Sequence, residues 1–122
     1  MRRGIITINN GVVDIPTEPV WMMQEEIADM FNIYGRDIRK AINAVYKDGA
    51  LTESETMRYI RLDEQRSIDA YSIEMIIAIT FRINSKETNV FRRYITNRLY
   101  PKNGYNIVLF SNDFSKGNSI FN

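Results

Sequence analysis

The chain has no cysteine and no histidine in 122 residues. Disulfides, thiolate nucleophiles, imidazole bases and the usual zinc ligands are therefore excluded together. Long apolar runs are missing as well. The stretch Met75–Phe81, "MIIAITF", holds seven uncharged residues, far below the roughly twenty that cross a bilayer. The N-terminal "MRRGIITI" starts positively, but its apolar run is too short for a signal sequence and is broken by "NNG". A cytoplasmic protein without membrane association is expected. Nor is there an excess of either charge: 16 Lys and Arg stand against 15 Asp and Glu, a formal net charge of +1. Any electrostatic function must lie in how charge is distributed. Asp and Glu are the only plausible acid-base groups left, and Asp63, Glu64 and Asp69 read as turn and hairpin surface rather than a metal-type cluster. No enzyme, cofactor, metal or small-molecule substrate is expected.

What is present suits one globular domain spanning 1–122, with 44% hydrophobic and 25% charged residues. Residues 1–20 contain two β-branched runs, "GIITI" and "VVDI", hinged at Asn9-Asn10-Gly11, which predicts a β-hairpin. One short strand is expected at "VWM". Ile27, Met30 and Phe31 then fall at helical spacing from about Gln24, and Ile38, Ile42, Val45 and Tyr46 resume it up to Gly49. Residues 56–71 carry two β-prone runs around the polar "DEQRS" and predict a second hairpin. Ser72 and Ser85 are good N-caps for helices to Ile83 and from Lys86 to Leu99, the latter stopped by Pro101. The tail, 103–122, reads as irregular apart from a strand at Tyr105–Phe110.

Residues 24–47 have the spacing of a helix-turn-helix. Ala28 is the small residue where the second helix must cross the first, and Phe31, Ile33 and Ile38 form the apolar hinge. Asn32 occupies the turn position that usually holds Gly, and Asn tolerates the left-handed conformation. On the second helix Arg36, Lys40, Asn43 and Lys47 fall at i, i+4, i+7 and i+11, opposite Ile38, Ile42 and Val45. Arg, Asn and Lys are the residue types that read base edges or hold phosphate, and Tyr34, Arg36 and Arg39 stand at the helix start, which meets bases first. In the second hairpin Arg58, Arg61 and Arg66 lie where the wing of a winged helix-turn-helix touches the phosphate backbone.

Charge is segregated along the chain. From Arg82 to Lys102 six basic residues face Glu87 alone, whereas Asp14, Glu18, Glu25, Glu26 and Asp29 gather near the first helix. For Arg92 and Arg93, bracing or pairing ranks above direct contact with nucleic acid.

The segments "VWMMQEEIADMF", "INAVYKDGAL" and "YSIEMIIAITFRINSKETNVFRRYITNRL" resemble, in order and spacing, the bacterial RhuM virulence-protein family, related in its N-terminal part to phage antirepressor-type domains. The resemblance covers about Val20 to Leu99. Phe81, Arg82, Ile83, Asn84, Ser85, Lys86, Phe91 and Arg92 carry its most specific pattern. It implies a DNA-binding-like domain of proteins encoded in genomic islands and mobile elements. The chain departs from the pattern at Met23, where a polar cap is usual, and at Gly35 and Arg36, where the family often has Ser or Thr and then a His. Family members are commonly longer, so a shortened or domain-only version is expected.

The expectation is thus an α+β, winged helix-turn-helix-like domain: N-terminal β-hairpin, helix-turn-helix, wing hairpin and two C-terminal helices. Its expected function is binding double-stranded DNA as a homodimer, in transcription regulation. The nucleic-acid-binding residues would be Tyr34, Arg36, Arg39, Lys40, Asn43, Lys47, Arg58, Arg61 and Arg66. The alternative is a protein-protein interaction module on the same scaffold. Trp21, Met22, Met23 and the aromatic tail at Tyr105, Phe110, Phe114 and Phe121 would then form its surface, unless Trp21 anchors the core beside Phe31.

Overall fold

Asn10 and Gly11 both take positive φ, 51° and 79°, the conformation that lets a two-residue loop join twisted antiparallel strands. The first hairpin follows from it, β1 (Thr7–Asn9) pairing with β2 (Val12–Asp14) in the register Thr7↔Asp14. The computed structural model describes residues 2–99. Within them the chain is α+β, with five helices and two small antiparallel sheets. The expected strand at Tyr105–Phe110 and the rest of the tail lie outside the described residues.

β3 (Trp21–Met23) leads directly into α1 (Gln24–Phe31), and a short turn connects α1 to α2 (Gly35–Lys47). A one-turn helix not expected from the sequence, α3 (Glu53–Thr56), precedes β4 (Met57–Arg61) and β5 (Ser67–Ser72). The three later strands form one sheet in the order β3-β5-β4. α4 (Ile73–Thr80) and α5 (Lys86–Leu99) follow. The chain divides into two compact units, residues 1–92 and 93–122, with the break inside α5. Of the second unit only the helical residues 93–99 are described.

Both helices of the central pair end in left-handed residues. At the end of α1, Asn32 adopts φ 57° and ψ 49°, and the amide of Ile33 closes onto the Ala28 carbonyl at 3.0 Å. At the end of α2, Gly49 has φ 77°, its amide reaches the Tyr46 carbonyl and that of Ala50 the Val45 carbonyl. These paired bonds satisfy carbonyls that the helix itself leaves open. The start of α1 is closed differently. Met23 stands at the cap without a side-chain bond of its own, and Glu26, three residues on, accepts the Met23 amide at 2.9 Å. Glu26 is itself held by Arg3 through two bonds of 2.6 and 3.0 Å, and Arg3 also donates to the Trp21 carbonyl. That bonding raises the Arg3 pKa against the opposing effect of burial. The N-terminal arginine thus spans β3 and α1.

The core gathers Ile27 and Phe31 of α1, Ile38, Ile42 and Val45 of α2, Met75, Ile76 and Ile79 of α4, and Phe91 of α5. Phe31 and Phe91 meet edge to face with ring centroids 5.8 Å apart. α4 is covered over most of its circumference, as its uncharged run implies, with Ile77 and Ala78 half-buried. It ends three residues earlier than expected. The Thr80 hydroxyl bonds back to the Ile77 carbonyl at 2.7 Å, and the amides of Phe81 and Arg82 tighten onto carbonyls three residues behind.

The two serine caps separate. Ser85 accepts the Thr88 amide at 3.0 Å while the Thr88 hydroxyl accepts the Ser85 amide at 2.8 Å, a reciprocal cap. Ser72 has the right position and backbone, but its buried hydroxyl makes no cap bond and has no partner among the described residues. Trp21 also differs from expectation. It packs with Ile60, Ala70 and Ile68 on one face of the three-stranded sheet rather than beside Phe31. No helix among the described residues is long and apolar enough to cross a membrane.

Candidate nucleic-acid interface

At about 100° per residue, Arg36, Arg39, Lys40, Asn43 and Lys47 fall within one arc of α2, and Ile38, Ala41, Ile42 and Val45 within the opposite arc. The first five are exposed and the last four buried. Tyr34, at the cap of α2, is 73% exposed, and the Arg36 guanidinium lies over its ring at 5.4 Å. Among the described residues none of Arg36, Arg39, Lys40 and Lys47 belongs to an ion pair. The α2 residues named from the sequence therefore converge on one outward basic surface.

That surface is held in place at its edges. At the start of α2, Gln24 of α1 donates to the Gly35 carbonyl at 3.1 Å and accepts from Arg39 Nε at 3.3 Å. Near its C-terminal end, the Tyr46 hydroxyl is 2.9 Å from that of Thr56, where the second hairpin begins. On the other side Asp48 pairs with Arg82 from the corner between α4 and α5. In that corner Arg92 donates to the Thr80 carbonyl and to the side chains of Asn84 and Asn89. Arg82 and Arg92 thus act as braces.

The second hairpin divides its arginines. Alternation places Arg58 and Ile60 on one face of the sheet, and Met57, Tyr59 and Arg61 on the other. The register agrees, pairing Arg58 with Ala70 and Arg61 with Ser67. Arg58 lies over the Trp21 ring at 4.6 Å, so its face is that of the Trp21 cluster. The other face carries Tyr71, which is paired with Met57. Burial is the main cause that raises the Tyr71 pKa, and Arg39 works against it. Arg61 and Arg58 thus lie on opposite faces of the hairpin.

Arg66 is engaged at the hairpin tip. It pairs with Asp63 at 2.9 Å, and Asp63 also accepts the amides of Gln65 and Arg66. These bonds, that of the Gln65 amide first, hold the Asp63 pKa below its ordinary value. Arg61 donates to the Glu64 carbonyl at 3.0 Å. With Asp63 and Glu64 beside Arg61 and Arg66, the tip has no net charge, contrary to a uniformly basic wing.

Two residues that matter here were not among those expected. Gln24 could be found only by its contacts, since a glutamine at a helix start has no distinctive spacing. Tyr59 is 75% exposed on the same face of the hairpin as Arg61, and its alternation with Ile60 is legible in the sequence. Trp21 and Met22, named for the alternative interaction surface, are buried, and Met23 is half-buried. Among the described residues no group of acidic side chains converges as metal ligands would. Compared with known proteins, the chain matches no protein-family model, no curated protein and no solved structure.

Proposed function

We propose that this chain is a bacterial cytoplasmic DNA-binding protein of winged helix-turn-helix type, acting as a homodimeric transcription regulator of the RhuM-like kind. α2 enters the major groove with Arg36, Arg39, Lys40 and Asn43 toward base edges, Lys47 toward phosphate and Tyr34 at the groove's rim. In the wing, Arg61 is the phosphate contact. Arg58 supports the sheet from behind Trp21, and Arg66 orders the turn.

The observation that supports this reading is the outward face of α2: exposed, basic and without ionic partners among the described residues, on a helix whose opposite face is buried. The order β3-α1-α2-β4-β5, with the hairpin after the second helix, suits the winged arrangement.

Fluorescence anisotropy with a duplex selected from a random library tests it. Binding is expected to weaken with log salt in proportion to the phosphates neutralised, Lys47→Ala reduces that slope by about 1, and Arg36→Ala/Lys40→Ala weakens binding and relaxes the base preference. A double variant that binds like wild type at every salt concentration sinks the assignment to α2. Salt-independent capture of a protein partner with no duplex binding favours the interaction module instead.

A further inference from the structure

Arg39 is the one basic residue on the outward face of α2 whose guanidinium is hydrogen-bonded to another side chain among the described residues. The holder, Gln24, is half-buried at the first position of α1. It uses both ends of its amide. Nε2 donates to the carbonyl of Gly35, the first residue of α2, at 3.1 Å, and Oε1 accepts from Arg39 Nε at 3.3 Å. The first bond fixes the amide relative to the helix start, and the second fixes the guanidinium relative to the amide. An exposed arginine samples many rotamers, and holding it removes part of the ordering cost that binding would otherwise carry.

The contact also selects which edge of Arg39 is presented. A guanidinium has five N–H donors, one on Nε and four on the terminal nitrogens. With Nε–H engaged by Gln24, the edge between Nη1 and Nη2 is left free. Two parallel donors of that spacing match the O6 and N7 acceptors of guanine in the major groove. From this geometry we propose that Gln24 is a positioning residue that orients Arg39 to read a guanine. The inference rests on the proposed DNA-binding role and deepens it.

Two measurements on the full chain separate this claim from the role beneath it. The first needs no DNA. In nitrogen-proton NMR spectra the Arg39 Nε–H of wild type exchanges more slowly with water than that of Arg36, and Gln24→Met abolishes the difference. Equal exchange in wild type and variant overturns the positioning claim. The second compares affinities for the selected duplex and for duplexes in which each guanine is replaced in turn. At one position Gln24→Met lowers the preference for guanine about tenfold, within the 1–3 kcal/mol that a bidentate contact contributes. Gln24→Glu, which keeps an acceptor for Nε–H, restores part of that preference. On an Arg39→Ala background Gln24→Met has no further effect on it. Undiminished preference in Gln24→Met, or an equal loss on the Arg39→Ala background, overturns the inference while the DNA-binding role stands. If wild type binds no duplex even at low salt, that role falls and base reading with it, while the exchange measurement still decides whether Gln24 holds Arg39.

Discussion

Ser85 joins two helices through one hydroxyl. Its Oγ accepts the Thr88 amide at the start of α5 and donates to the Phe31 carbonyl at the end of α1, at 2.8 Å. Both groups are among those a helix terminus leaves without partners. Ser85→Ala is therefore expected to cost about 1–2 kcal/mol, seen as a lower urea midpoint with unchanged slope. Ser72 offers the opposite case, since its buried hydroxyl has no partner among the described residues. Ser72→Ala should be neutral or raise stability by up to about 1 kcal/mol in the same measurement. From the sequence the two serines look alike, each before an apolar or mixed helix. They differ because Thr88 lies three residues after Ser85 and offers a hydroxyl, whereas Met75 occupies the corresponding place after Ser72. That local contrast is legible, but the Phe31 carbonyl, 54 residues away, is not.

At the scale of elements, turns carry the geometry of the candidate interface. Asn32 ends α1 in the left-handed region and so sets where α2 begins. Replacing it by Gly removes the residual steric cost and is expected to leave the fold unchanged with equal or slightly higher thermal stability. Asn32→Val should lose about 1–2 kcal/mol, because a β-branched residue resists positive φ. The hairpin tip depends on Asp63 in its ionised form. A carboxylate whose folded pKa is lowered contributes order that is fully present above the unfolded value and is lost as pH falls through the folded one. Acidification across the aspartate range should release the Gln65 and Arg66 amides, read as chemical-shift changes that Asp63→Asn removes. The division of Arg58 from Arg61 follows from strand alternation alone, since residues three apart on a strand face opposite ways. Which of those faces looks toward α2 depends on how the sheet packs.

For the whole first unit, Phe31 is the side chain on which the helices converge. It is fully buried at the end of α1 and meets Phe91 of α5 edge-on. Phe31→Ala is expected to cost about 3–5 kcal/mol, a large share of the 5–15 kcal/mol typical of a whole domain. Urea unfolding followed by circular dichroism would show it. Charge also resolves only at this scale. The acid near the first helix is partly taken up by Arg2 and Arg3, which pair with Glu18 and Glu26, and Arg82 is taken up by Asp48. Segregation along the chain therefore overstates segregation in space, while the basic residues of α2 stay outside the ion pairs of the described residues.

The sequence by itself determined the local elements and their faces. Helical spacing marks the buried stripe and the basic arc of α2, Asn10-Gly11 and Asn32 mark left-handed turns, and Ser85 marks the start of α5. Each of these depends on residues within a turn or two of one another, where backbone sterics and side-chain period leave few choices. The tertiary structure decided the partners: Arg3 with Glu26, Gln24 with Arg39, Ser85 with Phe31, Trp21 with the hairpin rather than with Phe31. Those pairs join segments far apart in the chain, where spacing carries no information and only the packing of finished elements brings donor to acceptor.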